Sequence, residues 1–262
     1  MASSEQVDQF RAANAELIAA VEERLDTFWA STGSRDPVAG LNALFNFVPL
    51  LTQQFGELAS IVAMDWFDEL RFDAIDEGMV RAIGRATTYE AVRTDPVIMT
   101  VSAASASYWH HRLQADGPDV VVAGIKAEVT TSVRTSGRQA ITRNADRDSN
   151  ARGWQRRTRA GACRFCRALS DRGGVYTKAS VRFAAHGPKC NCVAVPVWDQ
   201  SAPEIEPMAY VASERRPDES TPEGAERAQQ QRDRVRGWLE SKYPGETDHP
   251  TGEHTTDGET AD

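Results

Sequence analysis

Apolar residues recur at helical spacing from the beginning of the chain. In the opening segment they follow steps of three and four: Val7, Phe10, Leu17, Ile18, Val21, Leu25 and Phe28. This spacing places them on one face of an α-helix, and Ser3 or Ser4 can cap its start. Asp36 and Pro37 supply a cap and a first-turn proline for a second helix.

Three further helices are predicted before residue 145. Pro49 is expected to kink or divide the second helix, because proline removes a backbone donor, and a third run follows from Leu51 to about Leu70. Weaker helical patterns cover 95–113 and 118–144, with a turn at Gly117 and Pro118 between them. No strand alternation competes with these patterns, so residues 1–145 are predicted to form an α-helical domain.

The pattern changes over residues 146–198, where glycines break the chain into short pieces. One helical turn is predicted at 166–169, and short strands at 174–176 and 192–198, with Pro196 indicating an edge strand. The segment is predicted to form a small α+β module. It has few apolar residues of its own and therefore needs a metal or another cross-link.

Residues 199–262 are rich in Pro, Glu, Ser, Thr, Gly and Asp, which predicts a mostly disordered acidic tail. Within it, 222–243 has the start and stop signals of a helix. Val235, Trp238 and Leu239 fall at i, i+3 and i+4, a candidate partner-docking set. So short an apolar stripe does not stabilise a lone helix, so we expect this segment to be unstructured in the free protein.

Charge is unevenly distributed along the chain, whose net charge is -8. Residues 134–189 hold 14 basic and 3 acidic side chains, whereas the segments on either side are acidic. A basic block suits phosphate or an acidic protein surface. The candidate contact residues surround the cysteines: Arg152, Arg156, Arg157, Arg159, Arg164 and Arg167. With no long apolar run and no signal region at the start, neither a membrane span nor export is expected.

All four cysteines lie between Cys163 and Cys192, and without an export signal such clustering favours a metal over disulfides. Together with His186 they make five candidate ligands. Zinc prefers thiolate and imidazole in a tetrahedron, and a C-x2-C pair lets two sulfurs reach one ion. We expect Zn²⁺ on Cys163, Cys166 and His186, with Cys190 or Cys192 fourth. A reduced metal-free cluster and a labile disulfide are the alternatives.

The composition of this segment argues against catalysis. Four protein ligands close a zinc site, whereas a catalytic site keeps one position open and usually has a carboxylate nearby. Asp171 is the only acidic residue between Cys163 and Cys192, and a second histidine is absent there. We therefore expect a structural metal and no enzyme activity.

A distinctive pattern of aromatic, basic and ligand residues runs through 154–196. Its members are Trp154, Arg156, Cys163, Phe165, Cys166, Leu169, Arg172, Gly173, Val175, Tyr176, His186, Cys190, Cys192 and Pro196. The pattern resembles the C-terminal region of MuF-like phage head morphogenesis proteins, and residues 64–71 resemble the preceding segment in actinobacteriophage members. The resemblance covers roughly 45–198. The three residues between His186 and Cys190 depart from the two expected in many relatives.

The resemblance implies a low-copy minor capsid protein that acts in head morphogenesis and in DNA packaging or ejection. Its expected partners are the portal and the major capsid or scaffold protein, with non-specific contact to packaged DNA and none to membranes. Its expected location is the head interior or portal vertex of the virion, after assembly in the host cytoplasm. The alternative is a zinc-knuckle nucleic-acid-binding protein that is not part of a virion.

Overall fold

A computed structural model describes residues 2–76, 103–159, 161–177, 183, 190–205 and 221–245. This part of the chain is mainly helical with one small two-stranded sheet, as the sequence predicts. No helix in these ranges combines the length and the apolar character needed to cross a membrane. The elements are α1 (Ser4–Thr32), α2 (Pro37–Asp76), α3 (Ala103–Asp116), α4 (Pro118–Arg147), β1 (Gly153–Arg157), α5 (Arg164–Ser170), β2 (Val193–Val197) and α6 (Pro222–Lys242).

The helix α1 begins directly after its N-cap residue, Ser3, one of the two caps that the sequence offered. Ser3 and Gln6 form a capping box, in which each side chain accepts a hydrogen bond from the other residue's backbone N–H. The buried side of α1 holds five of the residues in its predicted stripe: Val7, Phe10, Ile18, Val21 and Leu25. These side chains pack against α2 and α4, which lie alongside.

The helix α2 runs without a break through Pro49, so Pro49 does not divide it into two helices, and the alternative, a kink at Pro49, stays a prediction. Proline removes only one hydrogen bond of the helix ladder. On either side of it, Val48 and Leu51 are both buried in the core shared with α1 and α4. Burial of both flanks holds the two halves in one 40-residue helix.

The helices α3 and α4 meet at the predicted turn. Gly117 has φ of 84°, a left-handed conformation that favours glycine, and Pro118 is the first residue of α4. Of the predicted pattern over 95–113, the part before residue 103 lies outside the described residues. The part that is described belongs to α3, which continues to Asp116.

The sheet pairs β1 with β2 antiparallel, with Trp154 opposite Pro196. The strand β1 was not predicted, because its sequence GWQRR shows no clear alternation. The expected strand at 174–176 is reduced to isolated bridges, in which Tyr176 pairs with Trp154 and Val175 with Glu204. Trp154 therefore has neighbours on both sides, and Pro196 lies in an edge strand as predicted.

The ordered chain continues past residue 198, where the sequence places the beginning of the disordered tail. The backbone N–H of Ile205 donates to Val175 at 3.0 Å, and that of Val175 donates to Pro203 at 2.8 Å. Farther on, the segment expected to be unstructured in the free protein is the helix α6. It packs on α5 through Leu239 and Tyr243, which supply the apolar contacts that a lone helix lacks.

The sheet packs directly on the helices, and one hydrophobic core contains side chains from α1, α2, α4 and both strands. Asp148, immediately after α4, connects these parts. Its carboxylate accepts hydrogen bonds from Trp198 Nε1 at 2.8 Å, Arg71 Nε at 3.0 Å and the Asn150 backbone at 2.9 Å. Burial alone would raise the pKa of Asp148, but these hydrogen bonds outweigh it and lower the pKa. The domain boundaries at 145 and 198 stay a prediction.

We expect Asp148→Asn to lower the free energy of unfolding at neutral pH by about 2 kcal/mol, because a buried hydrogen-bond network loses its charge and one of its two acceptor oxygens. Since the folded pKa lies below the unfolded value, the carboxylate stabilises the protein above about pH 4, and this contribution is lost as the pH falls further. Urea titrations of both proteins from pH 7 to pH 3 should therefore converge. The exposed Asp8→Asn is the control, with a change within about 0.5 kcal/mol; equal pH profiles for wild type and Asp148→Asn would contradict the role of Asp148.

Candidate metal centre

The structure brings all four cysteines into one buried cluster. Cys163 is the N-cap residue of α5 and Cys166 lies in its first turn, so the C-x2-C spacing places both side chains at the same end of a helix. Cys190 and Cys192 lie directly before β2. None is more than 3% exposed, and all four are free thiols, so the structure does not contain the disulfide kept as an alternative.

Three of the sulfurs have the spacing of a metal site. The Sγ atoms of Cys166, Cys190 and Cys192 all lie within 4.8 Å of one another, and the Cys166 and Cys190 sulfurs are 3.6 Å apart. With zinc–sulfur bonds of about 2.3 Å, two sulfurs of a tetrahedron are separated by about 3.8 Å. Cys163 shares the same buried cluster and interacts with the Cys166 thiol. The arrangement can hold a metal ion.

In the metal-free state the cluster favours thiols over thiolates. Hydrogen bonds to Cys163, Cys190 and Cys192, followed by burial, raise the pKa of Cys166. For Cys192, the hydrogen bond to Cys166 lowers the pKa, but the bond to Cys190 and burial raise it to about 11. A bound cation reverses this preference, because it replaces the protons on the sulfurs.

Arg138 holds the second cysteine pair against α4. The side chain is 6% exposed, and its guanidinium donates to the backbone carbonyls of Cys190 and Cys192, the latter at 3.1 Å. Burial lowers the pKa of Arg138, and the neighbouring Cys190 offsets only part of this lowering. Arg138 was not among the sequence-based candidates. By helical spacing it lies on the far side of α4 from the apolar residues of that helix, and no pattern distinguishes it from exposed arginines; those apolar residues are Val121, Ile125, Val129 and Val133.

A second buried arginine, Arg156, lies on β1 beside the cluster. Its Nη1 is 3.9 Å from the Cys166 sulfur, and its guanidinium carbon is 3.8 Å from the ring centroid of Phe183. Arg138 also faces that ring, at 4.9 Å, and Trp154 packs near it. Both guanidinium groups thus contact the Phe183 ring while they remain close to the sulfurs, an arrangement that the sequence did not indicate.

The five predicted ligands have different outcomes. The four cysteines come together, and both Cys190 and Cys192 belong to the cluster, whereas the sequence left open which of these two is the fourth ligand. His186 lies outside the described residues, so its participation stays a prediction.

The predicted arginine contacts divide into two groups. Arg156 and Arg164 are buried, and Arg164 forms an ion pair with Glu240 of α6. The other four side chains are more exposed to solvent: Arg152, Arg157, Arg159 and Arg167. Arg157 and Arg159 line an open pocket together with Arg11 of α1, and Arg152 Nη2 is 3.9 Å from a carboxylate oxygen of Glu204. Contact of the predicted arginines with phosphate or an acidic protein surface stays a prediction.

The candidate docking set on α6 is also divided. Leu239 is buried against Ala168 of α5, whereas the sequence assigned it to a surface that docks to a partner. Partner docking by this set stays a prediction. Tyr243 reinforces this contact, since its hydroxyl donates to Asp171 at 2.7 Å. Val235 and Trp238 remain exposed.

A family model described as VG15 protein matches residues 1–214, which contain every element from α1 to β2. The chain belongs to the VG15 protein family. It is therefore a phage protein, and the cysteine cluster lies within the matched region. The helix α6 begins after it. Comparisons with curated proteins and with solved structures gave no match.

We expect Arg138→Met to lower the free energy of unfolding by about 2–3 kcal/mol, because two carbonyl acceptors beside the cysteines lose their buried donor. Urea denaturation followed by tryptophan fluorescence measures the change. Arg143→Met, at an exposed position of the same helix, is the matched control and should change stability by less than about 0.5 kcal/mol. Equal effects of the two substitutions would show that the bonds from Arg138 contribute nothing.

Proposed function

We propose that this phage protein is a minor structural protein of the head, of the MuF-like type, located at the portal vertex or on the inner capsid. The observation that carries the proposal is the VG15 match over residues 1–214. The proposal is also supported by the position of the residues that resemble MuF-like proteins. Trp154, Tyr176 and Pro196 are neighbours in the sheet, and the cysteines lie beside them. In this role the protein contacts portal, major capsid or scaffold protein and performs no catalytic step.

We further propose that the cysteine cluster binds one structural Zn²⁺ through Cys163, Cys166, Cys190 and Cys192. Thiolate sulfur is a preferred zinc ligand, and four protein ligands close the site. A zinc ion with four thiolates carries a net charge of about -2, which the buried guanidinium groups of Arg138 and Arg156 offset. This set differs from the one favoured by the sequence alone, because both members of the C-x-C pair enter the cluster.

Elemental analysis of the purified protein should give about one zinc per chain. Cys166→Ser should abolish metal binding and reduce the thermal midpoint by on the order of 10 °C, because the binding energy of the ion contributes to folding. Ala162→Ser, next to the C-x2-C pair, is the control and should retain the ion.

The same measurement distinguishes the two ligand sets. His186→Ala should retain the full zinc content if four cysteines form the site, and Cys163→Ser should lose it. If His186→Ala loses the zinc and Cys163→Ser retains it, the fourth ligand is His186 and not Cys163. If the purified protein contains no metal and is equally stable with and without excess chelator, the zinc proposal is wrong.

Purified virions should contain the chain at low copy relative to the major capsid protein, as measured by quantitative mass spectrometry. A phage-encoded protein that is not part of the particle, followed in the same lysate and gradient, is the control and should be depleted. A chain that remains in the lysate on nucleic acid, with none in the particle, would instead favour the nucleic-acid-binding alternative.

A further inference from the structure

An open pocket lies where the beginning of α1 meets the chain at the end of β1. It has a volume of about 440 Å³, and three arginines line it: Arg11 of α1, Arg157 at the end of β1 and Arg159 just after it. Among the described residues that line this arginine pocket, Asp8 is the only acidic one. The lining therefore has two more positive charges than negative charges.

The arginines of the pocket are partly fixed by the fold. The Arg11 side chain is 17% exposed, and its Nη2 donates to the backbone carbonyl of Arg157 at 3.4 Å. Its Nη1 donates to the Asp8 carboxylate at 2.7 Å. Arg157 and Arg159 are half-buried. Side chains that are already restricted lose less conformational entropy when a ligand binds, so this lining is partly organised for an anion.

Positive charge extends from the arginine pocket to α4. Arg11 also lines a second, smaller recess, together with Arg134 and Arg138 of α4. Burial lowers the pKa of Arg134, and the charge of Arg138 lowers it further. Glu22 and a cysteine of the cluster offset part of this lowering, and the charge of Arg159 adds to it. Like charges thus repel one another in this part of the fold, and a bound anion would relieve the repulsion.

A phosphate group with two negative charges fits the arginine pocket best. Its charge matches the excess positive charge of the lining, and its several oxygens can accept from more than one guanidinium fork. A carboxylate has one charge and two oxygens, and a phosphate diester also has one charge, so neither balances the lining. The volume is in the range of pockets that hold small organic ligands, so the alcohol part of a phosphate ester can enter as well.

We propose that the arginine pocket binds a doubly charged phosphate group, which is either free inorganic phosphate or the end group of a phosphate monoester. Arg157 and Arg159 hold its oxygens from the side of β1, and Arg11 holds them from the side of α1. Asp8 competes with the ligand for Arg11, but its carboxylate is exposed, and an exposed ion pair is weak. This site is separate from the metal centre and goes beyond the proposed function.

Calorimetric titration of the full, metal-loaded chain at low salt and about pH 8 tests the charge requirement. Methyl phosphate is a dianion under these conditions and should bind. Dimethyl phosphate and acetate have one charge each and should bind about tenfold more weakly or worse, because a charge-assisted contact is lost. Inorganic phosphate and adenosine monophosphate then distinguish the two sources. Tighter binding of adenosine monophosphate indicates an ester, and tighter or equal binding of inorganic phosphate indicates the free ion.

Three variants place the binding in the arginine pocket. Arg159→Gln should weaken the binding of methyl phosphate about tenfold, since one guanidinium fork is removed. Asp8→Asn should strengthen it about threefold, since the competing carboxylate is removed. Arg143→Gln removes the same charge as Arg159→Gln from an exposed position of α4 outside the pocket, and should bind like the wild type. Asp8 is on the surface, so its result remains informative if circular dichroism shows that Arg159→Gln is unfolded.

Three outcomes would overturn the proposal. A wild type that does not bind methyl phosphate, or that binds it no better than Arg159→Gln does, has no such site. Equal binding of methyl phosphate and dimethyl phosphate shows that two charges are not required. If a glutamate-rich peptide or a DNA strand without terminal phosphates binds more tightly than methyl phosphate and requires Arg159, the arginines instead contact an acidic protein or a nucleic-acid backbone. None of these outcomes depends on the identity of the metal or on the presence of the chain in virions.

Discussion

Two guanidinium groups buried next to four cysteine sulfurs are the constraint on which the smaller half of the structure depends. A buried cation is tolerated only where nearby groups satisfy its donors and offset its charge. Arg138 meets the first condition through the carbonyls of Cys190 and Cys192, and the sulfurs are the nearest groups that can meet the second. Because Arg138 belongs to α4, the same contact attaches the cysteine cluster to the helices.

The helices could be predicted because each of them mostly buries one face and exposes the other. Along α1 the stripe from Val7 to Leu25 faces the core and the rest faces solvent, so period and burial coincide. The end of α4 is different. Between Ser136 and Ala145 it lies between the helices and the sheet, and it is buried almost all round, Arg138 included. A stripe calculated from period alone places Arg138 on the outside.

The cysteine cluster could be predicted in part. Spacing identified the four cysteines and grouped them, since C-x2-C and C-x-C are local signals. Which sulfurs approach one another depends on how β1 and β2 pair, and β1 has no alternation to reveal it. The two guanidinium groups beside the sulfurs belong to Arg138 of α4 and Arg156 of β1. These residues are distant from the cysteines or carry no local signal in the sequence, so their contacts could not be predicted from it. The bounds of α6 could be predicted from its own signals, but its formation in the free chain could not, because it depends on the contact with α5.

The length of α2 has a consequence for how the protein unfolds. The helix contributes Leu41 to Ala59 to one hydrophobic core and Ala63 to Ala74 to the other, and α1 and α4 are divided between the same two cores. Neither core can open without fraying a helix that the other requires. The two cores therefore behave as a single cooperative unit, and slow amide exchange should extend along α2 through Pro49 instead of ending there.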